Sequence, residues 1–144
     1  MKRATHHTSL TATLAVGAEL SRRGYDVAFT IGNTPRIDLL CAVSDGKAFK
    51  IQVKGISYSS GIWVQKAFFD AERQPDLFLV IVLVPLDDVS PLRFFVLSHD
   101  EAKHEFSIMP KIKKDGNPVD SWGLNWSSIT PYEIAWTKLP ALKA

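Results

Sequence analysis

The stretch Arg36–Gly55, RIDLLCAVSDGKAFKIQVKG, constrains this chain more than any other. Ile37, Leu39, Cys41 and Val43 alternate with Arg36, Asp38, Leu40 and Ala42. Phe49, Ile51 and Val53 alternate in the same way with Lys50, Gln52 and Lys54. A period of two marks a strand with one buried face, because successive side chains leave a strand on opposite sides. Ser44-Asp45-Gly46 between the two runs suits a three-residue hairpin loop whose glycine takes positive φ. With that loop Val43 faces Lys47 and Asp38 faces Gln52. The apolar sets of both strands then share one face, and Asp38, Gln52 and Lys54 share the other. A two-residue loop would set Asp38 against Val53 and mix the faces, so the three-residue loop is expected.

The flanking elements follow from caps and periods. Thr5–Arg23 reads as a helix ended by Gly24, with Leu10, Leu14, Gly17 and Ala18 as its apolar stripe, widened by Ala12, Ala15, Val16 and Leu20. Glu19 borders that stripe, where a carboxylate reaches either water and Arg23 or a site beside the sheet. Tyr25–Ile31 reads as a strand and Gly32–Pro35 as a turn. Gly55–Gly61 is a small-residue loop, Ile62–Phe69 a strand, and Asp70–Asp76 a polar turn. Leu77–Val84 lacks any polar residue, which fits a central strand covered on both faces. Leu92–Leu97 is expected to pair with it. Ser98-His99-Asp100-Glu101 is a capping box opening a helix over His99–Phe106. Lys111–Pro118 reads as a basic loop. Thr130-Pro131-Tyr132-Glu133 reads as a second capping box, starting a helix that ends by Leu139 and docks through Tyr132 and Trp136. The order predicts an α+β (α/β) fold with one mixed sheet.

Bulk properties set outer limits. At 144 residues, 46% of them hydrophobic, the chain is expected to form a single domain. Such a chain buries about 68–70% of its unfolded surface. A net charge of +2 is too small to argue for nucleic acid unaided. Cys41 has no second cysteine to bond with and sits in an apolar strand, as a buried thiol does. The start, MKRATHHTSL, lacks the apolar segment of a signal peptide, and Leu77–Pro85 is too short to span a bilayer. A cytoplasmic protein with no membrane partner is the expectation.

The polar face of the hairpin carries the candidate chemistry. Hard divalent cations such as Mg²⁺ take oxygen ligands and keep several waters. Asp38 offers a carboxylate, Gln52 an amide oxygen and Val53 its carbonyl. Lys54, two residues beyond Gln52, falls beside such an ion, where an ammonium positions an attacking water or offsets charge on a phosphoryl oxygen. Glu19 would reach the ion directly or through water. The set suits metal-assisted hydrolysis of a phosphodiester.

These residues resemble the PD-(D/E)xK nuclease superfamily, the restriction-endonuclease-like fold. The carrying segments are VGAELSRRGYDV with Glu19, RIDLL with Asp38, and IQVKG with Gln52 and Lys54. The spacing is similar to that of archaeal Holliday-junction resolvases and small bacterial relatives, over roughly residues 10–100. The resemblance implies a mixed sheet flanked by helices, Mg²⁺ (or Mn²⁺) at the acidic positions, cleavage of duplex or branched DNA, and a homodimer for cutting two strands. Two positions depart from the pattern. Ile37 stands where proline is usual, and Gln52 replaces an acid, which weakens the attraction for a dication. The alternatives are therefore a nuclease-fold module that binds nucleic acid or protein without cutting, and a partner-inhibiting protein with no affinity for DNA.

Other signals are bland. His6, His7, His99 and His104 lack zinc-ligand spacing, and no nucleophile elbow, phosphate loop or dinucleotide fingerprint is present. Trp63, Trp122, Trp126 and Trp136 read as core or docking residues, although an exposed indole stacks on an unpaired base. Lys2, Arg3, Arg22, Arg23, Lys111, Lys113 and Lys114 are candidates for phosphate contact or for plain solvation.

Overall fold

The computed structural model describes residues 3–30, 37–59, 61–70, 72 and 74–142. The Gly32–Pro35 turn, with Ile31 and Arg36 beside it, lies outside the described residues, as do Lys2 and the side chain of Lys111. The chain is mixed α+β. Helix α1 (Thr5–Arg22) is followed by strands β1 (Asp26–Phe29), β2 (Leu39–Ala42) and β3 (Ala48–Ile56). Then come β4 (Ile62–Val64), α2 (Lys66–Asp70), β5 (Leu77–Leu83), β6 (Arg93–Ser98) and α3 (His99–Glu105). A last hairpin, β7 (Ser107–Ile112) and β8 (Pro118–Leu124), precedes three short 3₁₀ turns. Five strands form one sheet in the order β1-β2-β3-β5-β6, antiparallel except for the parallel pair β3 and β5. A second sheet has the order β4-β8-β7.

The organising hairpin takes the register its apolar pattern demands. Leu39 faces Ile51 and Cys41 faces Phe49. Val43 and Lys47 close the loop, with the Val43 N–H on Lys47 O at 2.9 Å and Gly46 at φ +87°. Leu39, Cys41, Phe49, Ile51 and Val53 join Ala12, Val16 and Leu20 of α1 in one buried cluster. β5 is covered on both faces, as its composition requires. Phe78, Val80 and Val82 enter the cluster under α1, while Leu77, Leu79 and Ile81 enter a second one with Ile62, Phe68, Phe69 and Phe106.

Several elements differ from the sequence expectation. The buried face of α1 runs Thr8, Ala12, Val16, Leu20, and Leu10 and Leu14 lie 56% and 51% exposed. Ile62–Phe69 divides into β4 and the single turn α2. The basic loop shrinks to the tip of the β7–β8 hairpin, because β7 continues to Ile112. The helix expected over Thr130–Leu139 does not form; 3₁₀ turns at Thr130–Tyr132 and Trp136–Lys138 flank Ile134 at φ +48°. The backbone there is used on the edge of β6, where Glu133 bridges Phe95 and the Ile134 N–H bonds Phe94 O at 2.9 Å. Glu133 grips Arg93 at 2.7 and 2.8 Å instead of capping a helix. The box at Ser98 and Glu101 forms as predicted and caps α3.

Gly55 sets how closely α1 approaches β3. A Cβ on it would lie 2.8 Å from Thr8 O and 2.9 Å from the Ala12 Cβ. Backbone cannot yield as a flexible side-chain end does, so Gly55→Val is expected to lift the N-terminal half of α1 off the sheet. Denaturant unfolding should register a loss of about 1–3 kcal/mol, the usual cost of overpacking.

Candidate functional site

The site forms where β2 stops and β3 continues. The β2–β3 ladder ends at the pair Leu39 and Ile51, and the Asp38 N–H also reaches Ile51 O at 2.8 Å. Asp38 and Leu39 thus oppose one β3 residue, the arrangement of a bulge, which bends a strand and re-aims its side chains. The expected pairing of Asp38 with Gln52 is corrected to this extent. Asp38 Oδ2 accepts the Val53 N–H at 2.7 Å, which satisfies an edge donor of β3 that β2 no longer reaches. Thr30, the residue after β1, fixes the bulge, its N–H donating to Asp38 O at 3.1 Å and its Oγ1 to Ile37 O at 2.8 Å. A strand residue sends its N–H and C=O to the same neighbour, so the Val53 carbonyl also leaves on this edge.

Asp38, Gln52, Val53 and Lys54 line one cleft of about 250 Å³. The close contact at Gly55 brings α1 over the cleft, to which it contributes Ser9 and Thr13. β4 and the residue after it contribute Trp63, Val64 and Gln65. Two features of the cleft call for a ligand or a proton. Gln52 Oε1 is buried without a hydrogen-bond partner. Burying such an acceptor unpaired costs about 1–3 kcal/mol. The Asp38 carboxyl is pushed above its ordinary value by burial, and the Val53 N–H only partly opposes that rise.

Glu19 does not join them. Its carboxylate pairs with Arg22 and Arg23, both at 3.1 Å. The buried row Thr8, Ala12, Val16, Leu20 climbs α1 in steps of four, which leaves Ser9 and Thr13 on one flank and Glu19 on the other. The expectation of a Glu19 ligand followed from its place three after Val16 and four after Ala15, at the border of the apolar face, and from the family resemblance. Gly55 was the better signal, because a glycine one residue after Lys54 marks where the helix touches the sheet. Nothing in the period of Ile62–Phe69 singled out Trp63 or Gln65 for the cleft.

The remaining candidates are engaged elsewhere or exposed. Arg3 donates to Val84 O and Pro85 O at 3.2 and 2.7 Å. His99 is buried with Nε2 on Phe68 O at 2.8 Å, whereas His6, His7 and His104 are exposed. Burial raises the Cys41 thiol to about 12, as for an inert core thiol. Among the described residues no three His, Cys, Asp or Glu side chains come together, and no helix is long and apolar enough to cross a membrane. Neither protein-family models nor curated proteins match this chain.

Proposed function

We propose that the chain is a metal-dependent phosphodiesterase acting on DNA, built on a PD-(D/E)xK-like scaffold. The observation that carries this reading is the meeting of Asp38, a buried and unpartnered Gln52 Oε1, and Lys54 in one cleft at a bulged hairpin end. The run of α1, the β1–β2–β3 meander and a parallel β5 agrees with it. The donor set is all oxygen and suits a hard dication: Asp38, Gln52 Oε1 and the Val53 carbonyl would hold Mg²⁺ or Mn²⁺. A bound dication supplies Lewis acidity and a more acidic water. Lys54 orients the scissile phosphate and offsets charge building on its oxygens. Asp38 presents a charged ligand only after losing its proton, so rising pH favours metal binding there. Glu19 has no part in this scheme. The same reading carries a cytoplasmic setting and a homodimer for two-strand cutting.

Incubation with single-stranded, duplex and branched DNA in Mg²⁺ or Mn²⁺ tests the proposal. Cutting should disappear in Asp38→Ala and in Lys54→Ala; undiminished cutting by both variants assigns the activity to a contaminant. A second reading, a nuclease-fold module that binds without cutting, is favoured by one observation. Among the described residues the cleft has a single carboxylate, that of Asp38, with Gln52 at the other proposed ligand position. Calorimetry separates the two readings. The module would show salt-sensitive DNA binding with no heat of Mg²⁺ binding.

A further inference from the structure

We infer that the cleft receives one unstacked nucleotide, so that the substrate class is single-stranded or locally unpaired nucleic acid rather than closed duplex. The phosphate end of this inference rests on the role proposed for Lys54; the base end rests on Trp63. Trp63 occupies the middle of β4, paired with Gly123 of β8. A Cβ on Gly123 would lie 3.0 Å from Trp63 Cε3 and 3.1 Å from Cζ3, so the indole is braced on bare backbone. Trp63 is also one of the residues lining the cleft. Ser9, Thr13, Gln52 and Gln65 line the cleft with it, the Thr13 hydroxyl donating to Ser9 O at 3.0 Å. These are uncharged residues of the kind that read a base edge, and among the described lining residues Lys54 alone is cationic. At about 250 Å³ the cleft is smaller than the roughly 300–1,000 Å³ of clefts for drug-sized ligands, room for one flat ring system. A base reaches such a place only from outside a duplex stack. Stacking on an indole tolerates any base.

Fluorescence anisotropy without divalent metal measures this apart from cleavage. The probes are a labelled single strand, its blunt duplex, and the same strand with its bases removed. The intact protein should bind the single strand at least roughly tenfold more tightly than either other probe, given the strength of base–aromatic stacking. Trp63→Leu should erase the preference, Trp63→Phe should keep most of it, and thermal melting reports whether each variant is folded. Equal affinity of the unaltered protein for the normal and base-free strands overturns the inference, whatever the variants do. Base-dependent binding with no cleavage in Mg²⁺ sinks the phosphodiesterase reading alone. Cleavage of closed duplex with base-independent binding sinks the unstacked-base inference alone.

Discussion

Asp38→Asn is expected to raise the thermal midpoint while removing Mg²⁺-dependent cleavage, and Asp38→Ala to remove cleavage and lower the midpoint. The two substitutions separate the two things Asp38 does. Its carboxyl is raised above the ordinary 3.8 by burial, so folding favours the protonated form. A raised carboxyl pKa means that the unfolded chain binds fewer protons than the folded one through the window above 3.8. Stability therefore falls as pH climbs from that value through the elevated one, and is level beyond it. The asparagine amide still accepts the Val53 N–H and carries no charge to desolvate. Its advantage over the native side chain should be absent at low pH, grow across that window and then stay constant. Alanine leaves the Val53 N–H without its acceptor, at a cost of about 1–3 kcal/mol. Both variants lose the one charged ligand of the cleft, and cleavage should drop at least roughly 10²-fold. An asparagine variant as unstable as the alanine one contradicts the burial account. Full cleavage by both removes Asp38 from the chemistry.

The register that makes these variants interpretable was legible in the sequence. Seven apolar side chains on the odd positions and a Ser-Asp-Gly loop admit one pairing that sets them on one face. The same chemistry recurs at Lys113-Lys114-Asp115-Gly116-Asn117. There the Lys113 N–H bonds Asn117 O at 2.9 Å and Gly116 takes φ +85°, matching the loop closed by Val43 and Lys47. The sequence alone reads as a basic loop there, because the strands carry Pro110 and Pro118 and no clean alternation. A turn signal alone does not identify strands whose flanks do not alternate.

The helix shows the other limit. Leu10 and Leu14 are more apolar than Thr8, yet Thr8 is buried and the leucines are not. The Thr8 hydroxyl meets Ser57 Oγ at 3.2 Å, and its carbonyl lies where a side chain on Gly55 would be. Backbone-to-backbone approach at a glycine sets the phase of α1, and a count of apolar residues along α1 does not contain it. Glu19 and the pair Ser9 and Thr13 both border the buried row, on opposite flanks, and only the packing of α1 on β3 decides which flank faces the cleft.

Gln52→Glu should produce the largest reversal. In metal-free protein the substitution puts a second carboxylate beside Asp38, at a place where Oε1 is already buried and unpartnered. Lys54 lines the same cleft and offsets part of the new charge. An imperfectly paired buried charge still costs several kcal/mol. A loss of about 2–4 kcal/mol at alkaline pH is expected, which for a chain of this size lowers the thermal midpoint by roughly 5–15 °C. At acid pH the new group protonates and the deficit shrinks. Millimolar Mg²⁺ should restore the midpoint, because a ligand at a hundred times its Kd adds about 2.7 kcal/mol of stability. The native protein, with one negative charge fewer, should shift less in the same Mg²⁺, and the variant should cut DNA faster than the native chain. Mg²⁺ and Ca²⁺ titrations of the melting curve at two pH values suffice to check this. A variant that is destabilised and gains nothing from either ion shows that the cleft does not gather cations, and the chain is then the module that binds without cutting.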